Sequence, residues 1–170
     1  MICFDVLHPY YLPQYFPVAA ELQKRSVPVT YVIYKSVDQQ SVLEALVSKH
    51  QLNVVWVNDE SEALEFYLLN KPQWVVFGNA FASASRLKGI SQTALMQHGV
   101  GPKSVYYTVS KGDIEVRFVE GQYRLKRLQE MFPEKVFIDT GYAKLDPIIQ
   151  GDEQGLDLAS LGLDTNKKTL

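Results

Sequence analysis

A single cysteine, Cys3, stands in 170 residues, so no disulfide can form within the chain and no zinc knuckle or iron–sulfur site can be assembled from thiolates. A reducing compartment is the expectation that follows. An excess of positive charge is also missing. With 17 Lys and Arg against 19 Asp and Glu the formal charge is −2 and the pI is near 5.9. Phosphate contacts to a nucleic acid require a basic surplus, so no nucleic-acid partner is expected. Apolar runs such as Val54–Val57 are far too short to cross a bilayer. Residues 1–7 carry no basic n-region, and His8-Pro9 interrupts their apolar stretch, so they make a poor secretory signal. Together these absences predict a soluble, cytoplasmic protein.

Several nucleotide and nucleophile signatures are lacking as well. There is no G-x-x-x-x-G-K-[ST] loop, and His8-Pro9-Tyr10-Tyr11 stands where a dinucleotide fold would carry G-x-G-x-x-G after its first strand. No G-x-S-x-G elbow occurs, and the only thiol sits at the start of an apolar strand, which leaves covalent catalysis without an attacking group. The three histidines, His8, His50 and His98, have no metal-ligand spacing such as H-E-x-x-H, so no metal is assigned. No internal repeat or low-complexity segment is present.

What is present is a regular alternation. Short β-branched runs at 2–7, 28–34, 53–57, 74–77, 93–96, 115–119 and 135–139 predict strands. Between them apolar residues recur at helical spacing: a helix over 15–25, Leu43/Leu46/Val47, Leu64/Tyr67/Leu68, and Leu125/Leu128/Phe132 ahead of Pro133. This order predicts an α/β fold, a Rossmann-like three-layer α/β/α domain whose mostly parallel sheet is covered on both faces. With 46% hydrophobic residues, the chain has enough apolar content to build that core unaided. The compact domain is expected over 1–149. Residues 150–170, acidic and weakly periodic at first, read as a linker, and 166–170 read as a turn with the opening of a further strand, as in a piece cut from a longer protein.

In an open α/β sheet ligands bind at the carboxyl ends of the strands. At one such end stands Met96-Gln97-His98-Gly99-Val100-Gly101-Pro102-Lys103. Gly99 and Gly101 would allow positive φ and a close backbone approach, turning amide groups toward an anionic oxygen, while Lys103 brings a cation. A histidine there could remove a proton from a substrate hydroxyl. The plainer alternative is that the glycines make a strand-to-helix turn and His98 caps it.

Gln97-His98-Gly99-x-x-x-Lys103, followed further along by Gly141-Tyr142-Ala143-Lys144-Leu145-Asp146, resembles the N-terminal half of the CDP-glycerol glycerophosphotransferase family. That resemblance implies a GT-B fold and a transferase. A CDP- or UDP-linked donor would be held mainly by the protein's own C-terminal domain. The acceptor hydroxyl, on a polysaccharide, a teichoic-acid-like polymer or a lipid-linked molecule, would approach this half. It implies that His98 is the general base, that Gly99 shapes the turn, that Lys103 handles phosphate charge, and that Gly141 and Asp146 are structural near the interdomain linker. No covalently bound cofactor is implied. Gln97 replaces the family's usual tryptophan, Val100-Gly101 its threonine region and Ala143-Lys144 its Pro-Arg, which leaves the donor open. A non-hydrolysing sugar-nucleotide epimerase of the same fold, or a non-catalytic Rossmann-like binding module, are the competing readings.

Three further features have two readings each. His8, with Tyr10 and Tyr11, could line the same cleft and contact an acceptor, or pack on its own domain. Asn79 in Gly78-Asn79 could hold a ligand or simply make a turn. Arg124, Lys126 and Arg127, beyond Glu120-Gly121, are expected to face solvent because Leu125, Leu128 and Phe132 take the core face. That basic face could make a peripheral contact with anionic lipid at the inner side of the cell membrane.

Overall fold

The computed structural model describes residues 1–35, 38–151, 159–164 and 166–167. Seven strands form one sheet: β1 (Ile2–Val6), β2 (Val29–Tyr34), β3 (Val54–Val57), β4 (Trp74–Phe77), β5 (Gln92–Met96), β6 (Val116–Val119) and β7 (Val136–Asp139). Their order is β3-β2-β1-β4-β5-β6-β7 and every neighbouring pair is parallel. The helices are α1 (Leu12–Lys24), α2 (Gln40–His50), α3 (Glu60–Asn70), α4 (Val105–Thr108), α5 (Gln122–Met131) and α6 (Asp146–Gln150). The Rossmann-like three-layer arrangement is therefore what the chain adopts.

Both faces of the sheet are buried. Phe4, Val6, Tyr31, Ile33 and Met96 meet Leu12, Tyr15 and Ala19 of α1 and Leu43 of α2 on one face. Cys3, Val32, Val75, Phe77 and Leu95 meet Ala63, Leu64 and Tyr67 of α3 on the other. This double coverage is why β2 is buried along its whole length and reads as a continuous apolar run rather than an alternation. α5 packs over the far edge, with Leu128 against Val119 and Phe137.

The first helix begins three residues earlier than its periodicity suggests. Pro9–Tyr11 form a single 3-10 turn that runs directly into α1, and Pro13 sits in the first helical turn, where a missing N–H removes no hydrogen bond. Tyr10, Tyr11 and Leu12 are thus helical, and Tyr11 and Leu12 are folded back onto the sheet. The short helix α4 and a 3-10 segment at Ala84–Leu87 were not legible in the periodicity. Of the expected linker, residues 152–158 and 165 lie outside the described residues, as do 168–170 of the expected new strand. No described helix is long and apolar enough to cross a membrane.

Candidate functional site

The strand order reverses between β1 and β4, because the chain builds outward from β1 through β2 and β3 on one side and from β4 through β7 on the other. A crevice opens at the carboxyl ends of strands at such a reversal. Three segments arrive there: His8 after β1, Gly78-Asn79 after β4, and Gln97-His98 after β5.

His98 is fixed on one side by the Gly78 carbonyl. Its Nδ1 lies 2.8 Å from that oxygen, and its backbone N–H donates to the same atom at 3.3 Å. A carbonyl oxygen can only accept, so Nδ1 carries a hydrogen and, in the neutral ring, the lone pair is on Nε2. The ring stacks on Tyr11, with centroids 4.7 Å apart and planes 17° from parallel, and Tyr10 meets it edge-on at 5.1 Å. Tyr11 is itself fully buried and lies on Gly78 so closely that a Cβ there would come within 2.5 Å of Tyr11 Cδ2. His8 stacks on Tyr10 at 5.0 Å. Burial and the neighbouring His98 hold the His8 imidazole below its ordinary pKa. The aromatic segment packs on its own domain, with Tyr10 and Tyr11 against the His98 ring and His8 behind Tyr10.

The other side of the turn is charged. Gln97 is buried, and its Oε1 accepts a hydrogen bond of 2.7 Å from Arg117 Nη2. Arg117, in the middle of β6, also donates to the Tyr106 carbonyl at 2.6 Å and to Ser110 Oγ. Burial, then the nearby Arg124, pull its guanidinium down to about 10, against Glu120, which raises it. Arg124 donates to the Gly101 carbonyl at 2.8 Å, pairs with Glu120 and lies 4.5 Å over the Tyr107 ring. The Tyr142 hydroxyl donates to the His98 carbonyl at 2.8 Å, so the two sequence motifs, forty-four residues apart at these positions, are in contact.

Some expectations change. Neither Gly99 nor Gly101 is among the glycines with positive φ. Both instead lie close under Tyr106: a Cβ on Gly99 would stand 3.2 Å from its hydroxyl, and one on Gly101 3.0 Å from its ring, so a larger residue would press on that side chain. Arg124 does not face solvent with Lys126 and Arg127. It is buried, because the helix turns it under the 99–102 turn toward Glu120. Lys103 is exposed and forms no ion pair among the described residues. Asn79 accepts from the Ala80 N–H through its own Oδ1 and stands beside the Tyr11 phenol. Gly141 takes φ 75, which does favour glycine. Asp146 begins α6 and helps line a cavity of about 240 Å³ with Gln14, Gln97, Glu120 and Tyr142.

Sequence reasoning missed Asp5. It is buried on β1 and accepts hydrogen bonds from Tyr34 (3.0 Å) and Tyr67 (2.8 Å). Burial raises its carboxyl to about 7, with the two phenols pulling the other way. Arg117 was missed too. Both carried a readable signal, a charge in the middle of an apolar strand, in Ile2-Cys3-Phe4-Asp5-Val6 and Val116-Arg117-Phe118-Val119.

No protein-family model matches the chain, and no match was found among curated proteins. Fold and site together define a Rossmann-like domain with a histidine poised at its topological switch point.

Proposed function

We propose that this chain is the acceptor-side domain of a GT-B transferase that moves a glycerophosphate or glycosyl group from a CDP- or UDP-linked donor to a hydroxyl of a polysaccharide, teichoic-acid-like polymer or lipid-linked acceptor. The observation that carries the reading is the orientation of His98. Its Nδ1–H is committed to the Gly78 carbonyl, its ring is clamped on Tyr11, and Nε2 is left as the nitrogen able to take a proton. The contact between Tyr142 and His98, joining the two motifs of the resemblance, supports it further. So do Leu145, Ile148 and Ile149, which stand exposed around α6 where a second domain would pack.

In the transfer, the acceptor oxygen forms a bond to phosphorus or to the anomeric carbon as the bond to the nucleotide breaks. The acceptor proton passes to His98 Nε2 and the nucleotide leaves. No covalent enzyme intermediate is required, and positioning and electrostatics supply the acceleration. Full-length protein given CDP-glycerol and a hydroxyl acceptor should release CMP, and His98→Ala should lower that rate by about 10²–10⁴-fold without loss of folded structure. Release at near wild-type rate would reject His98 as the base. Turnover of a UDP-sugar without any acceptor would identify an epimerase instead.

A further inference from the structure

A cavity of about 680 Å³ opens beside the His98 turn, between Gly101-Pro102, α4 and the first turns of α5. Ser104, Tyr107, Thr108, Glu120, Arg124 and Arg127 contribute its walls. Its charge balance is unusual for a protein interior. Arg124 in its wall and Arg117 behind it are both buried, and of the two only Arg124 is paired with a carboxylate, that of Glu120. Arg117 is held only by neutral oxygens, those of Gln97, Tyr106 and Ser110. Burying a cation without a paired counter-ion is costly, so the cluster favours an incoming anion. The Arg124 side chain is 8% exposed, and its Nη1 is a buried donor with no hydrogen-bond partner among the described residues. The ten-residue helix α5 also starts at this wall. Gly121 enters it with φ 149, and no side chain caps its first-turn N–H groups.

We propose that this cavity binds a phosphate group, as a phosphomonoester or phosphodiester. Arg124 and Arg127 supply the charge, Ser104 Oγ and the opening amides of α5 supply neutral donors, and Glu120 keeps Arg124 aimed while leaving the cluster net positive. A site of this size takes more than the bare ion, so the group attached to the phosphate lies in it as well. Since Gly101 is both a wall of the cavity and the third residue beyond His98, the phosphate of an acceptor chain bound here would lie next to the reacting hydroxyl. That last assignment rests on the transferase reading; the binding of phosphate does not.

The test is titration of the isotope-labelled chain with inorganic phosphate and with glycerol 3-phosphate at low ionic strength, followed by amide shifts. Saturable shifts at Gly121, Gln122 and Tyr123, absent with neutral glycerol and with chloride, are expected. Arg127→Gln, at an exposed position, should weaken binding about 5–10-fold. Arg124→Gln should abolish saturation where the spectrum shows it folded. No saturation in tens of millimolar phosphate, equal shifts with chloride, or unchanged affinity in Arg127→Gln would overturn the site. Sedimentation with phosphatidylglycerol vesicles without any response to glycerol 3-phosphate would overturn it too, as that is attraction to a charged surface and not occupancy of a cavity. None of these readouts depends on turnover, so failure of the transferase reading leaves the result interpretable.

Discussion

The turn carrying His98 is held between two unlike regions. On the β1–β4 side it rests on stacked rings, Tyr11 and Tyr10 with His8 behind them, and the contacts are apolar surface and two hydrogen bonds to the Gly78 carbonyl. On the β6–α5 side it is gripped by guanidinium groups: Arg117 holds Gln97, and Arg124 holds Gly101. Ring stacking sets the plane of the imidazole. Charge-assisted hydrogen bonds fix the backbone that follows, at the cost of burying cations. One turn thus has its side chain oriented by one kind of force and its backbone anchored by another.

Removing either support should break that division of labour. Tyr11→Ala should have the larger effect, a loss of about 3–5 kcal/mol in denaturant unfolding, because it empties a fully buried aromatic site beneath both Gly78 and His98. A loss below about 1 kcal/mol would mean that the stack carries little of the turn. Arg117→Met comes next. It leaves the oxygens of Gln97, Tyr106 and Ser110 without their donor, and should cost about 2–3 kcal/mol even though it removes a buried charge. Stabilisation by that substitution would show that desolvation outweighs the three hydrogen bonds.

The third expected effect appears only as pH is varied and concerns Asp5, which is reached by Tyr34 and Tyr67. Burial raises its folded-state pKa from 3.8 to about 7, so the fold prefers the protonated form. Its contribution to stability is intact below the ordinary pKa and is lost as pH rises toward about 7, beyond which it changes no further. Asp5→Asn should remove this slope, which is worth about 1.4 kcal/mol for each pH unit between the two pKa values, and leave the variant more stable than the parent at pH 8, measured as unfolding free energy across pH 4–8. Glu21 and Glu62, held below the ordinary carboxylate pKa by hydrogen bonds from Arg25 and Asn58, act in the opposite sense at lower pH and cancel in the difference between the two proteins. An unchanged slope in Asp5→Asn would show that the buried carboxyl is not its source.

Much of this architecture is written in local pattern. The seven strand positions follow from β-branched runs and the main helices from their apolar stripes, and strand β4 begins and ends where its sequence pattern does, at Trp74 and Phe77. Where the pattern misleads, the cause is local chemistry overridden by packing. Pro9 and Pro13 look like breakers but occupy first turns, where they do no harm. Arg124 looks like a surface residue on an amphipathic helix, yet Glu120 and the Gly101 carbonyl give it partners inside.

The sequence by itself determined which segments are strands and helices, that the sheet is parallel and doubly covered, and that His98 stands at a strand end. These depend on periodicity and side-chain type, which are properties of neighbouring residues. Only the tertiary structure decided that β1 and β4 lie side by side, which brings His8 and Tyr11 to a histidine ninety residues away in the first case and leaves Nε2 as the open nitrogen. It also decided that Arg117 and Arg124 are buried near one another, with Arg124 paired to Glu120 beside a cavity. The physical reason is that strand order, burial and hydrogen-bond partnership arise from contacts between segments distant in the chain, and no local pattern encodes which segments will meet.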